Sequence, residues 1–305
     1  MYLVIGSTGR VGTAAVDTLL ADGEPVRVLV RSAVQATPFM AKGCDVAIGD
    51  VLDRSSLDAA LAGISGVVNC IGAPRRRRTG RSTILRIEID GNRHLIDAAR
   101  ASSLRPHIVY VSAFNLEKAQ YVPFFFAKMK TEAALSGSGL PYTILRPSTF
   151  MEALMEFVRN GVATLPGRLA NPTSPVAAHD VGRAAVRCFG RQDASGATYP
   201  LFGPQKMSYD EFIEDWVAVT GKPVKIRRVP LAAFRLASAA GSPIAPYLPV
   251  LYSLVRSVNE LDYSGAPGVL EDLIGRPATT VKQHIARVIA SRVGVAATAD
   301  RLADP

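Results

Sequence analysis

The sequence predicts an α/β fold: a doubly wound parallel sheet followed by a smaller, mostly helical C-terminal region. Three observations lead there. Short apolar runs alternate with amphipathic stretches up to about residue 150, the pattern of a parallel sheet covered on both faces. A glycine-rich turn joins the first run to the first amphipathic stretch. Beyond Pro147 the rhythm changes to helices and loops interrupted by proline. At 305 residues, 48% hydrophobic and 20% charged, the chain has ample material for a core.

The first strand, Tyr2-Leu3-Val4-Ile5, breaks into Gly6-Ser7-Thr8-Gly9-Arg10-Val11-Gly12. In a strand–turn–helix setting Gly6 permits the tight turn, Gly9 lets the backbone approach a pyrophosphate, and Gly12 lets the helix pack on the sheet. This is the pattern of a Rossmann-type dinucleotide site, with the helix N-terminus facing the phosphates. Val11, Ala14, Ala15, Thr18 and Leu19 mark the helix, and Val26–Val30 closes the βαβ unit. A carboxylate after this second strand would bond the ribose 2′-hydroxyl of NAD; here Arg31 and Ser32 stand there, with Arg10 in the turn. Guanidinium suits a 2′-phosphate, so NADP(H) is the expected cofactor.

A helix follows around Ala36–Lys42, then a strand over Asp45–Ile48 running into Gly49-Asp50-Val51. Asp53 is placed to cap a helix through Leu61. The fourth strand, Gly66–Ile71, enters Gly72-Ala73-Pro74 and a basic cluster, Arg75 to Arg78 with Arg81. A helix at about Ile84–Ala101 is expected to be interrupted at Asp90-Gly91-Asn92. His107–Ser112 is the fifth strand, Ala127–Ser136 a helix, and Tyr142–Leu145 the sixth strand before Arg146-Pro147. An apolar helix at Phe150–Asn160 and a loop at Leu165–Pro175 come next, and a helix starts at His179-Asp180. Thr198–Phe202 and Val224–Val229 read as strands around a helix at Tyr209–Thr220.

Leu231–Val258 is apolar but too broken by arginines and prolines to span a membrane. It reads as helices over a ligand cleft, a membrane-surface contact being the second reading. Residues 1–150 are expected to form the NADP(H)-binding domain, with 176–205 returning to it. Residues 151–305 would form the substrate or lid region, with a mobile tail at 292–305.

The net charge of +9 raises the question of nucleic acid or an anionic membrane. No nucleic-acid-binding motif stands beside the arginine cluster. It reads as a solvated loop that recognises an anionic substrate group or closes over the cofactor, and no nucleic-acid partner is expected. Cys44, Cys70 and Cys188 lack metal-ligand spacing and read as reduced thiols. No metal site is expected. The first strand begins at Met1, so a cytoplasmic location is the expectation. Nothing in the sequence sets an oligomeric state.

GSTGRVG at the start, GDVLDRSSL, NCIGAP, VYVSAF and LPYTILRPSTFME, each at a strand end, resemble the atypical short-chain dehydrogenase/reductases of the NmrA-like group. The later runs FFFAKMKTEAAL, YPLFGPQKMSYDEF and VTGKPV are similar to the divinyl chlorophyllide reductase branch, near the complex I assembly subunits. The resemblance implies an NADPH-dependent reductase of a bulky conjugated hydrophobic molecule, with or without an anionic group, acting on an alkene, quinone or carbonyl. Since the group also holds redox sensors and assembly factors, a non-catalytic NADP(H)-binding protein is the alternative.

Carried over by motif, the family's lysine falls on Lys128, while its tyrosine position holds Phe124 and its serine position Ala113, with Ser112 adjacent. A phenyl ring cannot move a proton, so catalysis is expected from Lys128 with Tyr121 and Ser112. The resemblance puts Gly6, Thr8, Gly9, Arg10, Val11, Gly12, Arg31, Ser32, Asp50, Val51, Ile71, Gly72, Lys128 and Pro147 around the cofactor. Phe114, Phe124, Phe150 and Met151 are expected to line the substrate cleft.

Overall fold

The computed structural model describes residues 1–72 and 79–291. The expected Arg75–Arg78 loop and the 292–305 tail lie outside the described residues. Strands in chain order are β1 (Tyr2–Ile5), β2 (Val26–Val30), β3 (Asp45–Ile48), β4 (Gly66–Asn69), β5 (His107–Val111), β6 (Tyr142–Pro147), β7 (Val158–Arg159), β8 (Val162–Pro166), β9 (Ala197–Leu201) and β10 (Lys225–Val229). Seven of them form one parallel sheet in the order β3-β2-β1-β4-β5-β6-β9. The chain reverses its direction of travel between β1 and β4, the place in such sheets where a crevice opens at the strand C-termini.

The helices are α1 (Arg10–Ala21), α2 (Ala33–Met40), α3 (Arg54–Ala60), α4 (Arg81–Leu85), α5 (Gly91–Ala101), α6 (Pro123–Ser136), α7 (Met151–Met155), α8 (Ala178–Arg187), α9 (Tyr209–Thr220), α10 (Leu231–Gly241), α11 (Tyr247–Glu260) and α12 (Gly268–Ile274), with a last helix over 281–291. Successive strand residues point to opposite faces, and both faces are buried. Val4, Val28, Val68 and Val109 pack under α1, α8 and α12. Leu3, Ile5, Val67, Ile108 and the fully buried Tyr110 pack under α3, α5 and α6. This two-sided burial is why the strands read as continuous apolar runs. Asp53 caps α3, accepting from Ser55 N at 3.0 Å.

Two local expectations are corrected. The helix does not break at Asp90-Gly91-Asn92. It runs from α4 to α5 through a π-helical stretch, Arg86–Asp90, in which Gly91 N bonds Arg86 O. Phe150–Asn160 is not one helix. α7 stops at Met155, and β7 turns into β8 through Asn160 and Gly161, both with positive φ (49° and 72°). An Asn-Gly pair between short strands favours such a turn. β8 also pairs with β10, so the C-terminal region carries a three-stranded sheet, β10-β8-β7, among its helices. The helix expected from His179-Asp180 is present and starts one residue earlier, at Ala178; Asp180, in its first turn, is buried against Arg276 (2.7 Å) and Thr279 N (2.8 Å).

Candidate functional site

Two groups of residues meet the C-terminal edge of the sheet. The first is the turn after β1. Gly6 has φ +78°, and a Cβ there would stand 2.3 Å from Cys70 O; a Cβ on Gly12 would stand 2.3 Å from Gly6 O. Neither position tolerates a side chain. Gly9 is the N-cap of α1, without a side-chain cap and without an acidic residue in the first turn. The first N–H groups of a helix have no partner within it; Thr8 and Arg10 are exposed and Val11 half-buried beside this end.

Arg31 and Ser32 follow β2 and are exposed. The side chain of Gln35 accepts from Arg31 N at 3.0 Å, and the Arg31 guanidinium forms no ion pair among the described residues. Arg10 differs: its guanidinium pairs with Glu156 at 3.0 Å. Asp50 is exposed in a turn, where it accepts from Leu52 N. Val51 packs against Gly91 of α5. Ile71 is buried in the core and Gly72 is exposed. At the end of β6 the Pro147 carbonyl accepts from Phe114 N at 3.0 Å.

The second group surrounds Lys128 on α6. Its ammonium donates to Val111 O at 3.0 Å and to Tyr110 Oη at 3.5 Å, and lies 3.6 Å from Glu88 Oε2. Its side chain is 14% exposed, and that of Glu88 1%. Burial opposes the charged ammonium, but Glu88 and Tyr110 outweigh it, and the pKa lies above the ordinary lysine value. The lysine is therefore a fixed cation at neutral pH. Nearby, burial pushes the Cys70 thiol up to about 12 despite the pull of Lys128.

Glu88 reaches this place because of the π-helical stretch. Its carbonyl, displaced from the α-helical ladder, accepts from Asn92 Nδ2 (2.5 Å) and Thr131 Oγ1 (3.0 Å). Asn92 in turn accepts from Asn69 at the end of β4, whose own oxygen accepts from Ile71 N. Glu88, Asn92, Asn69 and Tyr110 were not among the expected site residues.

Ser112 and Tyr121 are not bonded to this cluster. Ser112 is buried and donates to Glu132 at 2.5 Å; Glu132 is paired with Arg146, and Arg146 with Glu117. Tyr121 donates to Glu260 at 2.8 Å, with Arg256 stacked 4.4 Å from its ring centre. Burial and then the Glu260 bond raise its pKa.

The aromatic expectations divide similarly. Phe124 is buried with Phe125, Val250 and Tyr263, and Met151 is fully buried in a C-terminal core, so neither side chain is open to a ligand. Phe150 is half-buried against the sheet core. Phe114 packs edge-on to Phe202 with ring centres 4.8 Å apart. A cleft of about 660 Å³ opens instead between α4, α6 and α11, lined by Arg81, Tyr121, Pro123, Pro246, Pro249 and Val250 among others. Along α6, Phe124 and Phe125 separate Pro123 of this cleft from Lys128.

With the sheet order and this geometry established, comparison with known proteins gives the class. Residues 2–288 match the NmrA-like family, and the chain belongs to it. It is 30% identical over 282 residues to the (4-alkanoyl-5-oxo-2,5-dihydrofuran-3-yl)methyl phosphate reductase of Streptomyces griseus, covering 91% of this chain and 94% of that one. It is 29% identical over 239 residues to the photosystem II assembly factor Ycf39 of Cyanophora paradoxa, covering 77% and 73% of the two chains. Its fold is similar to that of the Escherichia coli NADPH-dependent quinone oxidoreductase QOR2 complexed with NADPH, with a TM-score of 0.75 and 22% identity, over 95% and 100% of the two chains.

Proposed function

We propose that the protein is an NADPH-dependent reductase of a conjugated, hydrophobic small molecule. The observation that carries this reading is Lys128, a buried lysine held charged by Glu88 near the sheet edge. The glycine turn and α1 N-terminus fit a dinucleotide pyrophosphate, and Arg31 fits a 2′-phosphate. When bound, the cofactor supplies a hydride. Lys128 would hold the cofactor ribose, keeping the nicotinamide in place for hydride transfer. Its raised pKa makes it a poor proton donor, and Tyr121 is a weaker acid than ordinary and already committed to Glu260. Solvent is then the proton source, which suits addition to a polarised carbon–carbon double bond.

The cleft supports the substrate class, because its proline, valine and tyrosine walls are apolar while Arg81 stands at one side. The Streptomyces relative, named for an alkanoyl-bearing oxodihydrofuran with a methyl phosphate, combines the same two characters. The test is NADPH oxidation across a panel of enones, quinones and ketones with products identified by mass. Lys128→Ala should lower turnover at least ~10²-fold, the scale of losing a positioned catalytic group, and leave NADPH binding in place. A rate unchanged in Lys128→Ala would remove the lysine from the mechanism. Phe124 and the likeness to an assembly factor favour a second reading, an NADP(H)-binding protein without turnover, which the absence of any native rate would select.

A further inference from the structure

From Trp216 to Asn259 the sequence contains no aspartate or glutamate, while Lys222, Lys225, Arg227, Arg228, Arg235 and Arg256 all fall within it. Two consecutive elements, β10 and α10, carry four of these six residues and the Arg228–Leu231 junction between them. β10 is an edge strand of the three-stranded sheet, and Lys225, Ile226, Arg227 and Arg228 are all exposed along it. Asp210 pairs with Arg228 and Glu260 with Arg256. Lys222, Lys225, Arg227 and Arg235 form no ion pair among the described residues.

α10 follows β10 directly and is built inside out. The one side chain it buries is Ser238. It rests on α11 through Phe234, whose ring centre lies 6.2 Å from that of Tyr252. On its outer side Ala233, Leu236, Ala237 and Ala240 stand at helical spacing, and Ile244 is exposed in the turn that follows the helix. Leu236 is 67% exposed and Ile244 69%. A surface helix ordinarily turns its apolar stripe to the core, and an apolar stripe facing water marks an interaction site.

We infer that β10 and α10 form a docking surface for an anionic lipid bilayer, with Leu236 and Ile244 entering the headgroup–acyl boundary and the flanking cations meeting lipid phosphates. An outward apolar stripe bordered by lysine and arginine is the combination that holds a helix in the plane of a membrane. A groove of about 490 Å³ at the junction of β10 and α10 is lined by Arg168, Arg228 and Leu231 among others; Arg228 is held there by Asp210, and Arg168 forms no ion pair among the described residues. Other occupants fit less well. A second copy docked on the same face across a two-fold axis would set cations against cations. A partner strand added to β10 would meet the charged side chains that deter edge pairing. The inference stands independently of the reductase reading.

The full chain should co-sediment with vesicles of phosphatidylcholine containing about one third phosphatidylglycerol, and not with phosphatidylcholine alone. Leu236→Glu with Ile244→Glu should reduce that binding at least about ten-fold, with an unchanged thermal melt because neither side chain is buried. Replacing Lys225, Arg227 and Arg235 by serine should weaken it about five-fold per cation removed. Failure to bind the mixed vesicles, or equal binding to both kinds, overturns the proposal. So does binding that the glutamate pair leaves intact, which would be charge adsorption alone. Concentration-dependent self-association abolished by Leu236→Glu would assign the face to a second copy instead.

Discussion

The turn after β1 and the pocket around Lys128 sit at the same sheet edge and handle charge in opposite ways. In the first, the groups that attract an anion are backbone N–H groups and the exposed guanidinium of Arg31, all open to water. In the second, the cation is buried and already partnered by Glu88, Val111 O and Tyr110. An exposed cation contributes when a ligand arrives and costs the fold little beforehand. A buried one must be compensated within the protein at all times. The first arrangement suits recognition, and the second suits a charge whose position and state do not change during a reaction.

The sharpest break of this comparison is Gly12→Val. Its Cβ would meet Gly6 O at 2.3 Å, a clash with backbone that forces α1 away from the turn. NADPH binding should fall below detection and stability should drop by more than the roughly 1–3 kcal/mol of ordinary core overpacking, lowering the melting temperature more than in the two variants below. Calorimetric titration and thermal melts check it. Normal binding by this variant would mean that the turn does not cradle the cofactor.

Glu88→Gln should be next in size. Removing one partner of a buried pair costs roughly 3–5 kcal/mol, and the remaining desolvation should push Lys128 below its ordinary value. In the native protein the lysine pKa is raised, so the stabilisation from the pair is fully present below about pH 10.4, the unfolded value. It is lost only as pH rises through the higher folded value. Native stability and kcat should therefore show no Lys128 titration between about pH 6 and 9. The variant should acquire an alkaline limb in that range, and a flat profile in both would detach Glu88 from the charge state of Lys128.

Arg31→Ala should have the smallest effect. Losing one charge-assisted bond costs roughly 1.5–3 kcal/mol, so NADPH affinity should fall about ten-fold or more while NADH affinity and the melting temperature stay nearly constant. Equal losses for both cofactors would place Arg31 away from the 2′-phosphate.

The same contrast explains what could be read from residues alone. The strands β1 to β6 were legible because a sheet buried on both faces produces apolar runs, and the glycine turn because only Gly fits at Gly6 and Gly12. The Lys128 surroundings were harder. Glu88 and Glu132 sit on helices, where a carboxylate ordinarily signals the solvated face, and their partners come from distant strands. One signal was available: Glu88 and Asn92 fall on the same helical stripe as Ile84 and Leu95, both fully buried, so polar groups were being carried into the core. The Asn160-Gly161 turn was equally visible, but the apolar residues before it fit a helix period as well as a strand. Tyr121 and Ser112 carry the right chemistry for a site, but their bonding partners, Glu260 and Glu132, lie far from them in sequence.

The π-helical stretch over Arg86–Asp90 has the character of a single-residue insertion, since five residues per hydrogen-bonded ring replace four. α4 leads to the mouth of the cleft through Arg81, whereas α5 locks onto the sheet through Asn92 and Asn69. Deleting one residue such as Ile87 would restore a regular helix, and the two halves would then differ by about 100° in phase. Either the arginine would turn from the cleft or the asparagine from the sheet. The extra residue works as a phase shifter, letting one rod carry two faces that an uninterrupted helix could not present together.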